Sequence, residues 1–257
     1  MKGATPRRRD SGQAAVEAAL ILPLFVFLIL GTLQLCLMHQ ARLMAKYAAY
    51  RAVRAGATHH AQKESMEQAG LAVVLPLVSQ SHGGGEFIQP VTSAEDFQQK
   101  WNSKGLKENL MAEANLPYLA VTICGPKRQD LPNGLREVDF DDPRFASADT
   151  DNGGDGDRWK RSNLTKLRIQ VTLNYRMPIP FANWLIHSIA LGREIPLLMR
   201  MGGQKPGPNL FGDAYQEAAN KGVYILPIRA AYTMRMQSNL YAALLPESNQ
   251  CLTTNQY

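Results

Sequence analysis

From Ala18 to Met38 the chain runs for 21 residues without a charged side chain, interrupted only by Thr32, Gln34 and small residues. At about 1.5 Å per residue a helix of that length reaches roughly 30 Å, the thickness of a hydrocarbon core. Before it stand Lys2, Arg7, Arg8 and Arg9 against Asp10, so residues 1–12 hold three of the six net positive charges of the 257-residue chain. A basic tip beside an apolar run is a membrane-orientation signal; with no aromatic-interleaved basic patch elsewhere, a dedicated nucleic-acid surface is not expected. A cleaved secretory signal would have a shorter apolar core and a small-x-small exit, whereas this run leaves through "GTLQLCLMHQAR". A bulky leucine, Leu35, before Cys36 also argues against a lipoprotein signal. Cys36 is expected to act as a buried apolar residue.

Helix-favouring residues continue past the membrane edge in "HQARLMAKYAAYRAVRAG". One helix is expected from about Gln13 to Ala55, with Gly56 as its C-terminal cap. Its length of about 65 Å, at about 1.5 Å per residue, is twice a bilayer, so its outer half must enter water. There Leu43, Tyr47, Tyr50 and Val53 recur at spacings of three and four. That stripe suits either a partner or the chain's own outer portion. Pro23 removes a backbone donor and should bend or locally melt the helix, while Ala14, Ala15, Ala18 and Ala19 make its first turns slender enough for close packing in lipid. Arg42, Lys46, Arg51 and Arg54 follow the run, so charge alone orients the span only weakly.

Between Asp10 and Arg42 the one charged residue is Glu17, five positions after Gly12. A carboxylate costs roughly 2.5–3.5 kcal/mol at the bilayer centre and less near the interface. It can sit there as an interfacial acid favoured by the helix dipole, or opposite a cation. Were the chain cut after Gly12, the new amine of Gln13 would lie one helical turn from Glu17, on the same chain or on a neighbour.

A basic leader, a glycine, four residues, a glutamate and an apolar helix together resemble the class III signal of type IV pilin-like proteins. The fuller stretch "GQAAVEAALILPLFVFLILGTLQLCLMHQARLMAKYAAYRAVRAG", with Pro23, resembles the TadE-like minor pilins, or pseudopilins, of the tight-adherence (Tad) pilus system. The resemblance implies cleavage between Gly12 and Gln13 by a membrane-embedded aspartic prepilin peptidase, and a role for Glu17 in subunit docking. It also implies other pilin subunits, the peptidase and an inner-membrane assembly platform as partners. Members commonly have an aromatic after the glutamate; here that residue is Ala18.

Past Gly56 no second span is expected, because "LAVVLPLV" (residues 71–78) is short and holds Pro76. The expected organisation is a cytoplasmic leader over 1–12, the transmembrane and emergent helix over 13–56, a helical connector and glycine-rich linker over 57–92, and a periplasmic head over 93–257. In the head, Ser93 and Asp96 form a capping-box pattern opening a helix, with Gly105 a weak point. Strands are expected in "YLAVTIC", "KLRIQVTLNY" and "GVYILPIRAAYTMRM", and a short helix in "FANWLIHSIALG" with His187 in the core. The fold class is therefore α+β, a long stem helix followed by a head with a small antiparallel sheet.

Asp149, Asp151, Asp155 and Asp157 with Gly154 have the alternating oxygen ligands of a calcium loop. Counted from Asp149, however, the twelfth residue is Lys160 rather than the glutamate an EF-hand needs, so a solvated loop is expected and no metal. For the two outer cysteines, Cys124 and Cys251, a disulfide and two free thiols both stay open. "HGGG" (residues 82–85) is expected to be a flexible linker, since no G-x-S-x-G turn accompanies it. Without zinc, phosphate-loop or paired-cysteine spacings, no enzyme activity and no cofactor are expected. Two functions remain in view: a minor pilin that helps initiate or cap a Tad-type pilus, and a permanently anchored single-span protein whose outer domain binds a partner or ligand.

Overall fold

A computed structural model describes residues 11–82, 85–88, 91–111, 113–131, 135–146, 162–190 and 213–251. Helix α1 (Ser11–Thr58) is one 48-residue element that continues through Pro23, so the expected local melting does not occur. Its end is also later than expected. Gly56 lies inside the helix, and the reversal is made by His60 and Ala61, which both have positive φ (55° and 58°). The His60 amide donates to Ser238 Oγ at 2.9 Å, and both the Ser238 hydroxyl and the Gln237 amide donate to the Ala57 carbonyl at 2.9 Å. The end of the stem is thus capped by a loop distant in sequence, which a local reading misses.

Gly56 has a different role. A Cβ there would stand 2.5 Å from Met66 Sδ and 2.7 Å from Leu167 Cδ2. The hydrogen lets two elements close onto α1: α2 (Lys63–Val74), which packs back along it, and the central strand of the sheet. "LAVVLPLV" is the end of α2 and a 3-10 turn, with Leu71, Val74, Leu75 and Val78 buried.

The stretch expected as a linker contains a hairpin, β1 (Ser79–His82) with β2 (Gly85–Ile88). Its register pairs His82 with Gly85, leaving two residues between the strands, a spacing at which glycine is favoured. Helix α3 (Ala94–Trp101) opens on the expected capping box: Asp96 N–H donates to Ser93 Oγ at 3.1 Å, and Ser93 N–H to Asp96 Oδ2 at 3.0 Å. The Thr92 hydroxyl, which donates to Asp96 Oδ2 at 2.7 Å, together with Ser93 and the Thr92 amide, holds the Asp96 carboxyl below the usual aspartate range. The helix gives way before Gly105, and α4 (Lys104–Lys107) is a single turn.

The head sheet has three antiparallel strands in the order β3 (Leu119–Gly125), β5 (Lys166–Arg176), β6 (Ile225–Arg235), each on a segment expected as a strand, β3 and β5 running one residue past it. Between the first two lie β4 (Glu137–Val138), which pairs with β7 (Leu240–Tyr241), and the turn α5 (Pro143–Ala146). The period of two in β5 puts Leu167, Ile169, Val171, Leu173 and Tyr175 into the core against α1 and α2. Arg168, Gln170, Thr172 and Asn174 alternate with them on the opposite face. Helix α6 (Ala182–Ala190) and helix α7 (Asp213–Asn220) complete the described elements. His187 is buried on α6 with its ring 5.3 Å from that of Tyr224.

Along β3, the edge strand, side chains supply the missing neighbour. Leu119 N–H donates to Asn109 Oδ1 at 3.1 Å, Asn109 Nδ2 donates to the Leu119 carbonyl at 2.6 Å, and Val121 N–H donates to Glu67 Oε1 at 3.3 Å. Asn109 reaches this position with φ of 49°, in a region asparagine tolerates better than most residues.

Candidate functional site

The stem has two kinds of surroundings along its length. From Ala14 to Leu33 no side chain of α1 is buried by the rest of the protein, and the exposed residues include Leu20, Leu24, Phe25, Phe27 and Leu28. These 20 residues rise about 30 Å at about 1.5 Å each, which matches a hydrocarbon core. From Gln34 upward the same helix enters the head. Its buried face there is Ala41, Ala45, Ala48, Ala49, Ala52, Val53 and Ala57, all at 0% exposure.

This alters the expected stripe. Leu43 (53% exposed) and Tyr47 (50%) point away from the head, Tyr50 is half-buried with its ring 5.5 Å from that of Tyr232, and only Val53 belongs to the core. Alanines form the inner face because a three-stranded sheet lying along a helix needs short side chains between them. The outer face of the emergent stem carries Leu43 and Tyr47 among Arg42, Lys46, Arg51 and Arg54, all exposed.

At the start of α1, Gly12 and Gln13 lie in the first turn, and Glu17 follows on an exposed part of the helix with Ala14, Ala15, Ala18 and Ala19 exposed beside it. Pro23 has no N–H, so the Ala19 carbonyl lacks its usual helical donor four residues on. Residues 1–10, including the basic leader, lie outside the described residues. Cys36 is exposed on the stem rather than buried, because the head encloses only the other side of α1 at this level.

Cys124 and Cys251 are brought together as a disulfide with Cα atoms 5.3 Å apart, across 127 residues of sequence. The bridge joins the last described residue to the end of β3. Beside it, a cavity of about 620 Å³ is lined by residues that include Gly125, Asp130, Asn163, Lys166, Arg168 and Thr233. Asp149, Asp151, Asp155 and Asp157 lie outside the described residues. Among the described residues no three His, Cys, Asp or Glu side chains are grouped to hold a metal.

On the sheet face away from α1, Arg176 Nη1 pairs with Glu113 Oε2 at 2.7 Å. Asn174 donates to the Pro117 carbonyl and accepts from the Tyr215 hydroxyl, both at 2.7 Å. Burial raises the Tyr215 and Tyr118 hydroxyls above the ordinary tyrosine value and lowers the Lys100 ammonium. These groups fix the sheet rather than line an open cleft.

A junction that the sequence reading missed joins stem to head. Gln34, buried at 0% exposure, accepts from the Ile179 amide through Oε1 at 3.1 Å. Its only signal in sequence is an amide inside an apolar run, where a polar group needs a partner.

With the geometry in place, comparison with known proteins concerns the stem. Residues 12–54 match the family model described as TadE-like protein. The match starts at Gly12, covers Glu17 and Pro23, and ends four residues before α1 does. No curated protein and no solved structure matches the chain. The likeness is thus confined to the stem, and α1 is long and apolar enough to cross a membrane once.

Proposed function

We propose that this protein is a minor pilin or pseudopilin, held in the membrane by α1 and then packed through that helix into or beneath a Tad-type filament, where it helps to initiate or cap assembly. The observation that carries the reading is the TadE-like match over residues 12–54, on a helix whose lower 20 residues are bare of any contact that buries them. A prepilin peptidase removes residues 1–12, leaving the amine of Gln13 as a cation near the membrane surface. Glu17 docks against such an amine, its own or that of a neighbouring subunit, and the attraction offsets the cost of keeping a carboxylate near hydrocarbon. The alanines beside it admit a close neighbour, and the exposed Ala19 carbonyl opposite Pro23 gives the helix a place to bend as it packs. The head, on the periplasmic side, remains outside the filament's helical core.

Mass analysis of the protein purified from piliated cells tests this first: a mature chain starting at Gln13 is expected, and one retaining Met1 supports the permanent anchor instead. Glu17→Ala should leave the protein in the membrane fraction at its normal level while its recovery with sheared or pelleted pilus material falls at least about tenfold, which corresponds to about 1.4 kcal/mol. Undiminished recovery would remove Glu17 from docking.

A further inference from the structure

Several apolar side chains on and just before α6 stand exposed among the described residues. Phe181 is 71% exposed, Trp184 50% and Ile189 48%, while Ala182, Asn183 and His187 are buried. At 100° per residue Phe181, Trp184, Leu185, Ser188 and Ile189 share the outward side. The one polar group among them is already used, since the Ser188 hydroxyl donates to the Trp184 carbonyl at 2.8 Å. From Met177 to Ala190 the sequence holds no Asp, Glu, Lys or Arg. A helix facing water on that side would be expected to carry several.

Its position on the stem identifies the surroundings. The Ile179 amide is bonded to Gln34, four residues below the end of the apolar run at Met38, and α6 packs against α1. The bare part of the stem ends at Leu33, so the segment leading into α6 lies where the hydrocarbon ends. His39, Arg42 and Lys46, all exposed, stand one to three turns higher on α1, at the height of lipid headgroups. Aromatic side chains concentrate at that boundary, and an apolar helix face lies roughly 5–10 Å into it. Phe181, at φ of 65°, is held in the left-handed region, an unfavourable conformation for an aromatic left largely exposed by the described residues.

We propose that α6 is an interfacial membrane helix: Phe181, Trp184, Leu185 and Ile189 rest in the headgroup and acyl boundary of the leaflet from which α1 emerges, so that the membrane-held subunit grips lipid at two places. The occupant is lipid because the face belongs to a helix packed on α1 and tied by the Ile179–Gln34 bond to the upper limit of its bare span. On leaving the membrane the subunit gives up both contacts, and the α6 face then exchanges lipid for another cover. The inference depends on α1 spanning a bilayer and not on pilus assembly.

The test uses the full chain, one copy per nanodisc, in phosphatidylcholine with phosphatidylglycerol. Tryptophan emission is compared between plain lipid and lipid brominated either just beneath the headgroup or at the chain ends. The bromine-quenched fraction of the wild type should fall by about half or more in Trp184→Phe, because an interfacial tryptophan is within reach of the shallow bromines. In a Trp101→Phe, Trp159→Phe chain, Trp184 should be quenched more by shallow than by deep bromines and little by aqueous acrylamide. Adding Phe181→Ser should weaken that quenching while the urea midpoint of the head stays in place. Equal lipid quenching of wild type and Trp184→Phe overturns the proposal. So does a Trp184 that acrylamide reaches freely, or one shielded from both quenchers, which would mean that protein covers α6. None of these readouts changes if residues 1–12 are never removed, so failure here is distinct from failure of the pilin reading.

Discussion

The lower and upper halves of α1 belong to one continuous helix but have opposite side-chain economies. Where α1 is bare, from Ala14 to Leu33, its exposed residues are large: Leu20, Ile21, Leu22, Leu24, Phe25 and Leu28. Where it is enclosed, its innermost residues are small: six alanines between Ala41 and Ala57, and Gly56. In water the reverse assignment would be the rule, large apolar groups inside and small ones wherever they fall. Lipid removes the reason to hide a leucine, so the lower half uses bulk to meet acyl chains. The upper half is an axle for a sheet and a second helix, and there closeness counts for more than apolar area.

The comparison can be tested by making like changes on the bare half of α1 and in the core that encloses the other half, and following the urea unfolding of the head in the full chain. Leu167→Ala, beneath α1 in the core, should lower the head's stability by about 2–5 kcal/mol, as large-to-small core changes do. Leu24→Ala, on the bare half, should leave the same midpoint in place. Gly56→Val should cost about 1–3 kcal/mol by overpacking against Met66 and Leu167. Gly31→Val, in the same helix with nothing within 4 Å of a Cβ, should not register in the head. An equal response at the two glycines would break the contrast between the halves. The smallest effect belongs to a part remote from the stem: Ser93→Ala should cost about 1 kcal/mol through loss of an N-cap.

The same cap gives a pH dependence. Because the Asp96 carboxyl titrates below its ordinary value of 3.8 in the folded head, its contribution is present above that value and is lost as pH falls through the folded pKa. The difference between wild type and Ser93→Ala should therefore narrow in acid. A difference that persists unchanged well below the aspartate range would show that the carboxylate has no share in it.

What sequence made legible follows physical range. The apolar run, the strict alternation of β5 and the Ser93 to Asp96 spacing are all signals carried within about a dozen residues, and each produced the element it implied. The contacts that position the stem are of another kind. Ser238 caps a helix that ends at Thr58, Asn109 serves Leu119 from a turn, and Gly56 is shaped by Met66 and Leu167. None leaves a periodic trace. A glycine near the end of a helical pattern reads as a cap because caps are the commoner use, and an alanine-rich stretch reads as good helix former before it reads as a packing face. The outward Leu43 and Tyr47 misled for the same reason, since hydrophobic spacing marks a face without saying which neighbour it meets. On the candidate site, Glu17 and the alanines near it lie along an exposed helix, whereas the Gln34 junction needed the fold to bring Ile179 to it.

The side-chain bonds along β3 have a consequence for crowding. If the chain is held in a membrane as proposed, copies of it would meet with their sheets at one height. A bare strand margin there would invite neighbouring sheets to zip together into fibres that no assembly machinery controls. With Asn109 and Glu67 occupying the amides of Leu119 and Val121, this stretch of one of the sheet's two edges, the other being β6, is a poor template. Under the pilin proposal, association is then left to the helices rather than to this edge.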